Sequence, residues 1–254
     1  HRDLHSFPTR RSSDLGNTLT IGKVTGDATI SVKSENDAFP DNSMTFSPLE
    51  LKAHTIGAVV TISNELLQDG ANMAQAIETA LIGALAEKLD QLALFGVGST
   101  EPRGLNATTG VISVPGGGLI AWPTLASAWQ QISTANGRAN TTLLSPRDYS
   151  QLLSLEATDG HFVGVPKLFE SVNFDFSSAI PTNLGTGEDE SIAFMGNFAD
   201  VLVGLRQGVT LEISGVAGEA FQRNQSMIRV LWRGDIGFAK PTEFAKITGL
   251  TTGS

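Results

Sequence analysis

The longest helical pattern in the chain is ANMAQAIETALIGALAEKLDQLALF, residues 71–95. Its apolar side chains recur at steps of three and four residues, which places them on one face of a helix. They are Met73, Ile77, Leu81, Ala84, Leu85, Leu89 and Leu92. A helix of about 25 residues spans roughly 37 Å, well beyond the mean helix length of about 11–12 residues. We therefore expect this helix to be the spine of the molecule, with its apolar face buried.

The residues before the spine predict a long two-stranded arm. Apolar and polar residues alternate as in half-buried strands at 18–21, 28–32, 44–46 and 49–62. The polar, turn-rich segment 33–43 interrupts them and forms the tip of the arm. A two-stranded hairpin is only marginally stable alone in water. We expect the arm to lie on a neighbouring surface. Ser63 then caps a short helix that reaches residue 69.

Helices and strands alternate after the spine. A helix is predicted at 122–132, with Pro123 in its first turn, and another at 147–155, where Ser145 is the cap. Pro115–Gly118 is predicted to be a flexible connector. Strands are predicted at 141–144, 166–172, 180–181, 191–195, 201–205, 209–213, 226–232 and 245–247. The fold class is therefore α+β, with one long helix and several antiparallel strands.

The composition favours a subunit that contacts copies of itself. The chain has 254 residues, of which 41% are hydrophobic and 17% charged, and 27 are glycine. The usual charged fraction is about 25%, so much of the surface is neutral. A net charge of −9 argues against a broad face for nucleic-acid phosphates. The chain has no cysteine, which excludes disulfides and thiolate chemistry. No apolar run reaches the roughly 18 residues of a membrane span.

The sequence contains no pattern of a catalytic, cofactor or metal site. Beyond residue 15, His54 and His161 are the only histidines, and neither has a second ligand at a metal-binding spacing. The acids at 187–190 lack the spacing of a calcium loop. The glycines at 96–98 follow a helix, whereas a phosphate loop follows a strand. We predict a structural subunit that is not an enzyme. A hydrolase with a serine, His161 and Asp159 brought together is the least favoured alternative.

The first fifteen residues, HRDLHSFPTRRSSDL, differ in character from the rest of the chain. They are basic and serine-rich, and they lack the apolar stretch of a signal peptide. They resemble the translation of a sequencing adapter, so we expect residues 1–15 to be an artefact. Residues 16–27 would then be the remnant of an N-terminal arm whose native start, with any scaffolding segment, is missing.

Several segments carry a resemblance to a known family in the order in which that family has them. They are 39–46 with the strand to Ile62, 62–69, 94–105, 144–149, 179–181 with 194–198, and 221–224 with 230–244. Together they resemble the major capsid proteins of tailed bacteriophages, which have the Hong Kong 97 fold. The resemblance runs from about residue 18 to about residue 250.

This resemblance implies a division of the chain into three parts. An extended loop at 28–61 would lie over the neighbouring subunit. A peripheral domain would comprise 62–125 and 198–240 and contain the spine helix. An axial domain would comprise 126–197 and 241–254. The residues of the extended loop expected at the subunit interface are Phe39, Pro40, Met44 and Phe46.

The resemblance also implies a function. Pentamers and hexamers of the chain would form an icosahedral shell around double-stranded DNA, with no sequence-specific DNA binding, no membrane and no cofactor. Portal, scaffolding and decoration proteins are the further partners expected, and assembly would take place in the cytoplasm of a bacterial host. Phe39 occupies the position of the family's cross-linking lysine, which leaves Asn224 unpaired, so no isopeptide cross-link is expected. An encapsulin-like nanocompartment shell is the alternative.

Overall fold

A computed structural model of the chain describes residues 18–26, 45–69, 72–156, 160–216 and 218–252. Ten strands and four helices lie within these ranges, and short 3-10 turns separate several of them. In chain order they are β1 (Thr18–Gly26), β2 (Thr45–Lys52), β3 (His54–Ser63), α1 (Asn64–Asp69), α2 (Met73–Phe95), β4 (Ile112–Gly118), α3 (Trp122–Thr134), β5 (Thr141–Leu144), α4 (Pro146–Leu153), β6 (Asn173–Phe176), β7 (Ser191–Gly196), β8 (Val201–Ser214), β9 (Gln225–Phe238) and β10 (Phe244–Leu250).

The spine helix α2 packs on an antiparallel sheet of strand order β3-β9-β8. Leu81 and Leu85 of the helix share one core with Ile228 and Val230 of the central strand. The predicted long helix is thus confirmed, from Met73 to Phe95. Ala84 is exposed, although its spacing predicted burial. It lies at the border of the stripe that the sheet covers, where its short side chain makes no buried contact.

The second sheet is mixed, with strand order β4-β10-β7-β5-β6. Its strand β10 runs parallel to β4 on one side and antiparallel to β7 on the other. Helix α3 covers this sheet, and its Leu125 and Ile132 share a core with Met195 and Ile247. Each sheet therefore has a helix of its own, which agrees with an α+β architecture.

The prediction of a flexible connector at Pro115–Gly118 is wrong, because these residues form the second half of β4. β4 is an edge strand, so it tolerates a proline that cannot donate a hydrogen bond. Gly116 packs beneath Leu250, where an added Cβ would lie 2.6 Å from Cδ2 of that leucine. Glycine here allows close packing between strands.

Two further strand predictions are wrong. Residues 166–172 contain a 3-10 turn at Lys167–Phe169, and the strand β6 begins only at Asn173. Phe169 and Val172 are both buried, and their spacing of three residues is that of a 3-10 turn. Residues 180–181 lie in a turn, where Ile180 is buried. The strands predicted at 201–205 and 209–213 form one strand, β8, with irregular register between them.

The arm begins with an antiparallel pair of strands, β1 and β2, in which Thr18 lies opposite Lys52. The residues that join these strands, with the strand predicted at 28–32, lie outside the described residues. The strand predicted at 49–62 is divided in two at Ala53. Before this residue the chain pairs with β1, and after it the chain pairs with β9.

Both predicted serine caps are confirmed. The hydroxyl of Ser145 accepts a hydrogen bond from the backbone N–H of Asp148 (3.1 Å), and the helix that follows is α4. The hydroxyl of Ser63 accepts one from the N–H of Leu66 (3.3 Å) at the start of α1. Each cap satisfies an N–H group that has no partner within its helix.

Arg147 joins α4 to the five-stranded sheet. Its guanidinium donates to the carbonyl oxygens of Thr182 (3.3 Å), Asp189 (2.8 Å) and Leu250 (3.0 Å) and to the hydroxyl of Ser191 (2.9 Å). Its Nε also lies 3.2 Å from the buried carboxylate of Asp148. That carboxylate accepts hydrogen bonds from the hydroxyls of Ser145 (2.7 Å) and Ser191 (2.5 Å). The buried charge is therefore fully compensated.

Candidate assembly surface

Of the four predicted contact residues, Phe39, Pro40 and Met44 lie outside the described residues. Phe46 lies in β2, where its backbone pairs with Val24 of β1. Phe46 is therefore on the arm, as expected. Its role at an interface stays a prediction.

The base of the arm is packed against the three-stranded sheet. Leu51 is 4% exposed and lies over Gly204 of β8 and Gly237 of β9. A Cβ on Gly204 would lie 3.0 Å from one δ-carbon of Leu51, and a Cβ on Gly237 would lie 2.5 Å from the other. The two glycines therefore allow β2 to cross the sheet in close contact. This contact fixes the direction in which the arm leaves the sheet.

Polar contacts hold the same junction. The carboxylate of Asp235 accepts hydrogen bonds from the backbone N–H groups of Lys52 (2.7 Å) and Ile236 (2.9 Å). Burial raises the pKa of Asp235 above its ordinary value. These hydrogen bonds and the charges of His54 and Lys52 lower the pKa, but burial has the larger effect. His54 Nδ1 lies 3.1 Å from the carbonyl oxygen of Thr100, beyond the end of α2. The sequence signal that could have identified Asp235 is a single acidic residue between the glycines and apolar residues at the end of β9, residues 234–238.

A first group of exposed apolar side chains lies around α4 and the edge strand β6. Every residue from 160 to 168 except Pro166 is exposed, and Phe162 is 69% exposed. A hydrogen bond from the N–H of Val163 to the carbonyl oxygen of Leu155 (2.8 Å) holds this segment beside the end of α4. The members, here called the α4 group, are Leu153, Phe162, Val163, Val165, Leu168 and Phe176.

A second group lies on the three-stranded sheet and the elements next to it. Val60 of β3 and Ile213 of β8 flank the buried Ile228 in one row across the sheet, yet both are exposed. Phe221, in the connection between β8 and β9, is 77% exposed. The members, here called the β8 group, are Val59, Val60, Leu66, Val209, Ile213, Val216 and Phe221.

Asn224 lies in a turn, with a φ of 52°, and has a partner within its own chain. Its side-chain oxygen accepts a hydrogen bond from the amide of Asn64 (2.9 Å), and its carbonyl oxygen accepts one from the backbone N–H of Asn64 (3.0 Å). Ser226 in turn donates to the side-chain oxygen of Asn64 (2.6 Å). Asn224 therefore orders the turn before β9. The absence of a cross-link stays a prediction.

The described residues contain no cluster of metal ligands, and they do not test the hydrolase triad considered from sequence. Within the described ranges, no group of three or more His, Asp or Glu side chains is placed to hold a metal ion. His54 begins β3, whereas His161 lies in the exposed segment of the α4 group. Asp159 lies outside the described residues. Among the four described helices, none is long and apolar enough to cross a bilayer.

The sequence is similar to known capsid proteins. The model of the phage capsid family matches residues 3–249. The chain is 28% identical over 271 aligned positions to the major capsid protein of Klebsiella oxytoca phage phiKO2, covering 94% of this chain and 62% of that protein. It is 25% identical over 221 positions to the major capsid protein of Enterobacteria phage HK97, covering 85% of this chain and 57% of that protein. The chain thus spans about three fifths of the length of these relatives.

Solved structures show the same fold. A chain of Mycobacterium phage Adephagia matches with a TM-score of 0.71 at 18% identity, covering 96% of this chain and 89% of that chain. A chain from the capsid of a native GTA particle matches with a TM-score of 0.73 at 12% identity, covering 95% of this chain and 88% of that chain. These matches confirm the predicted α+β fold of the Hong Kong 97 type. With a family match over nearly the whole sequence, the chain belongs to the phage capsid family.

Proposed function

We propose that the chain is the major capsid subunit of a tailed bacteriophage or prophage. Copies of it assemble through pentamers and hexamers into an icosahedral shell that encloses double-stranded DNA. The observation that carries this proposal is the match to the phage capsid family over residues 3–249. The likeness of the fold to a chain of Mycobacterium phage Adephagia and to a chain from the capsid of a GTA particle supports it.

The exposed apolar side chains give this proposal a physical basis. A stable interface buries about 800 Å² on each partner, and burial contributes about 25 cal/mol per Å² of apolar surface. The α4 group and the β8 group lie on different sheets, so one copy can contact more than one neighbour. In a closed ring each copy uses two different surfaces, one for each neighbour. Two separate apolar groups suit that arrangement.

The shell we propose is held together without covalent bonds. The resemblance to the Hong Kong 97 family implies that Phe39 occupies the position of the cross-linking lysine. Asn224 therefore has no lysine amine at that position with which to react. Assembled particles should therefore dissolve in hot detergent to a single band at the mass of one chain, 26.8 kDa. A ladder of covalent multimers would contradict this part of the proposal.

The subunit acts by contact and not by catalysis. Its net charge of −9 argues against a broad basic face for phosphates, so we expect it to enclose DNA without reading its sequence. Its partners are other copies of itself, together with portal, scaffolding and decoration proteins, and the assembled shell is part of the virion. Assembly takes place in the cytoplasm of the bacterial host.

Light scattering and negative-stain electron microscopy of the purified chain test this function. We expect particles of uniform diameter from this chain. A chain that stays monomeric at high concentration would count against the proposal. The contents of particles produced in cells distinguish the two shell functions. Packaged DNA supports a phage capsid, whereas a co-purifying cargo enzyme would indicate an encapsulin-like compartment.

A further inference from the structure

Helix α3 ends in a turn that contains the dipeptide Asn136-Gly137. Asparagine is followed by glycine nowhere else in the sequence. This dipeptide is chemically labile, because no side chain shields the backbone nitrogen of the glycine, which can attack the side-chain carbonyl carbon of the asparagine before it. The turn therefore contains the bond at which spontaneous deamidation of this chain is expected first.

Two hydrogen bonds of a Schellman motif close this end of the helix. The N–H of Gly137 donates to the carbonyl oxygen of Ile132 (2.9 Å), and the N–H of Asn136 donates to that of Ser133 (3.0 Å). Both bonds supply donors to carbonyl groups in the last turn of the helix. Asn136 has a φ of 58°, in the left-handed region that asparagine tolerates better than most residues with a side chain. The motif thus accounts for the asparagine.

Packing accounts for the glycine. An added Cβ at Gly137 would lie 3.0 Å from Cγ2 of Ile132 and 3.1 Å from Cγ of Glu243. Ile132 is fully buried. Glu243 accepts hydrogen bonds from the amide of Asn197 (3.2 Å) and the ammonium of Lys240 (3.0 Å), which hold its side chain in place. The fold therefore places an asparagine and a glycine next to each other for two separate reasons.

We propose that Asn136 is a deamidation site that the end of α3 protects in the folded chain. In the reaction the nitrogen of Gly137 bonds to Cγ of Asn136, the bond from Cγ to Nδ2 breaks, and ammonia leaves with the proton of the glycine nitrogen. Water then opens the resulting succinimide ring to aspartate or isoaspartate. In the folded chain that N–H is donated to Ile132, and Gly137 is packed against Glu243. The attacking nitrogen is therefore withheld.

Refolding does not reverse the reaction. Both products carry a carboxylate next to the C-terminus of α3, where the helix dipole disfavours negative charge. Isoaspartate also adds one carbon to the backbone between residues 136 and 137, so the spacing from Ile132 to Gly137 no longer fits the motif. A chain that reacts before it folds therefore loses this helix end. The protection is a property of one folded chain and does not depend on shell formation.

Mass spectrometry of the chain before and after incubation at mildly alkaline pH tests the proposal, at a concentration below that at which particles form. Peptic digestion in acid stops the reaction, and fragmentation locates the mass increase at individual asparagines. We expect Asn136 to react fastest of all asparagines in the chain unfolded by urea. In the folded chain it should react at least about tenfold more slowly, because reaction requires this helix end to open. Equal rates in the two states, or a faster reaction at another asparagine of the unfolded chain, would overturn the proposal.

Two glycine variants determine whether the helix end or the whole fold gives the protection. Ala135→Gly weakens the exposed end of α3, since glycine loses more backbone freedom on ordering than alanine does. It should speed deamidation of the folded chain severalfold. Ala80→Gly makes the same substitution at an exposed position of α2 and should leave the rate at Asn136 unchanged. Equal acceleration by both variants, or none by Ala135→Gly, would contradict protection by the end of α3.

Discussion

Asp235 makes the stability of the arm junction depend on pH. Its pKa in the folded chain is raised above the ordinary 3.8, chiefly by burial. The folded state therefore binds this proton more tightly than the unfolded state does, and the resulting stability is lost as the pH rises through the raised pKa. We compare the free energy of unfolding of the unsubstituted chain with that of the Asp235→Asn variant. We predict that the first minus the second decreases as the pH rises from about 3.8. Urea titrations at several pH values measure this difference.

The matched control for this prediction is Asp175→Asn, which changes the net charge equally at an exposed position. Its difference from the unsubstituted chain should depend less on pH, because solvent screens the interactions of an exposed side chain. A difference for Asp235→Asn that grows with pH would show that the folded chain prefers the ionised form of Asp235.

Arg147 should be among the most sensitive single residues of the five-stranded sheet. Arg147→Ala removes the hydrogen bonds that join α4 to β7 and β10 and leaves the buried carboxylate of Asp148 without its cation. Breaking a buried ion pair from one side costs about 3–5 kcal/mol. We predict a loss of this size in the free energy of unfolding by urea. Arg138→Ala, at an exposed position, should change it by less than about 0.5 kcal/mol.

Residue roles could be predicted from sequence where the partner is near in the chain. Ser145 caps a helix that begins at the next residue, so the local pattern was sufficient. Asn64 and Asn224 are 160 residues apart, and Asn197 and Glu243 are 46 residues apart. No local pattern marks such pairs, because the sheet topology brings them together. The expected interface residues of the arm tip stay predictions for a different reason: three of them lie outside the described residues.

Gly116 of β4 should be required for the close packing of this strand against β10. A Cβ at residue 116 would lie 2.6 Å from Cδ2 of Leu250 and 2.9 Å from the carbonyl oxygen of Thr248. The leucine can shift, but the backbone of β10 cannot do so without breaking its pairing. We predict that Gly116→Ala lowers the free energy of unfolding by about 1–3 kcal/mol, the usual cost of overpacking. Thermal and urea unfolding measure it.

Gly164→Ala is the control for the Gly116→Ala substitution. No atom lies within 4 Å of a Cβ at residue 164, and its φ is not in the left-handed region. Alanine there reduces the freedom of the unfolded chain and should be neutral or stabilise by up to about 1 kcal/mol. Equal destabilisation by both substitutions would mean that the close contact at Gly116 is not the cause.

The spacing of apolar residues was sufficient to predict a helix or strand whose apolar side chains all pack against one neighbouring element. The spine helix α2 has one apolar stripe against one sheet, so its spacing was sufficient to identify it. In Lys167–Phe169 the chain turns to bury Phe169 beside Trp122, a contact that alternation within a short segment cannot reveal. Pro115–Gly118 resembled a connector because glycine and proline are common in loops. Its pairing with β10, more than a hundred residues later, makes it a strand.

For the whole molecule, the exposed apolar groups predict how assembly should respond to substitution. Phe162→Ser in the α4 group and Phe221→Ser in the β8 group remove side chains that contribute little to the single chain, since both are mostly exposed. A truncated aromatic at the centre of an interface typically costs 2 kcal/mol or more, and about 1.4 kcal/mol changes an association constant tenfold. We predict that either variant raises the concentration needed for particle formation at least tenfold. Light scattering measures this threshold.

Unfolding of the two variants separates assembly from folding. Their free energies of unfolding, measured below the assembly threshold, should lie within about 0.5 kcal/mol of the unsubstituted chain. Lys167→Ser, at an exposed position within the same segment as Phe162, is the control for the α4 group and should leave the threshold nearly unchanged. Unaltered assembly by both phenylalanine variants would mean that the subunit contacts lie elsewhere.

The position of β10 also affects the order of events during synthesis. It follows every other described strand along the chain, yet it lies between β4 and β7 in the five-stranded sheet. A nascent chain therefore cannot close that sheet until β10 has left the ribosome, and a product truncated before Phe244 lacks the strand that joins β4 to the rest. Only copies translated through β10 can present the finished surface to a growing shell, so copies truncated before Phe244 cannot take part in it.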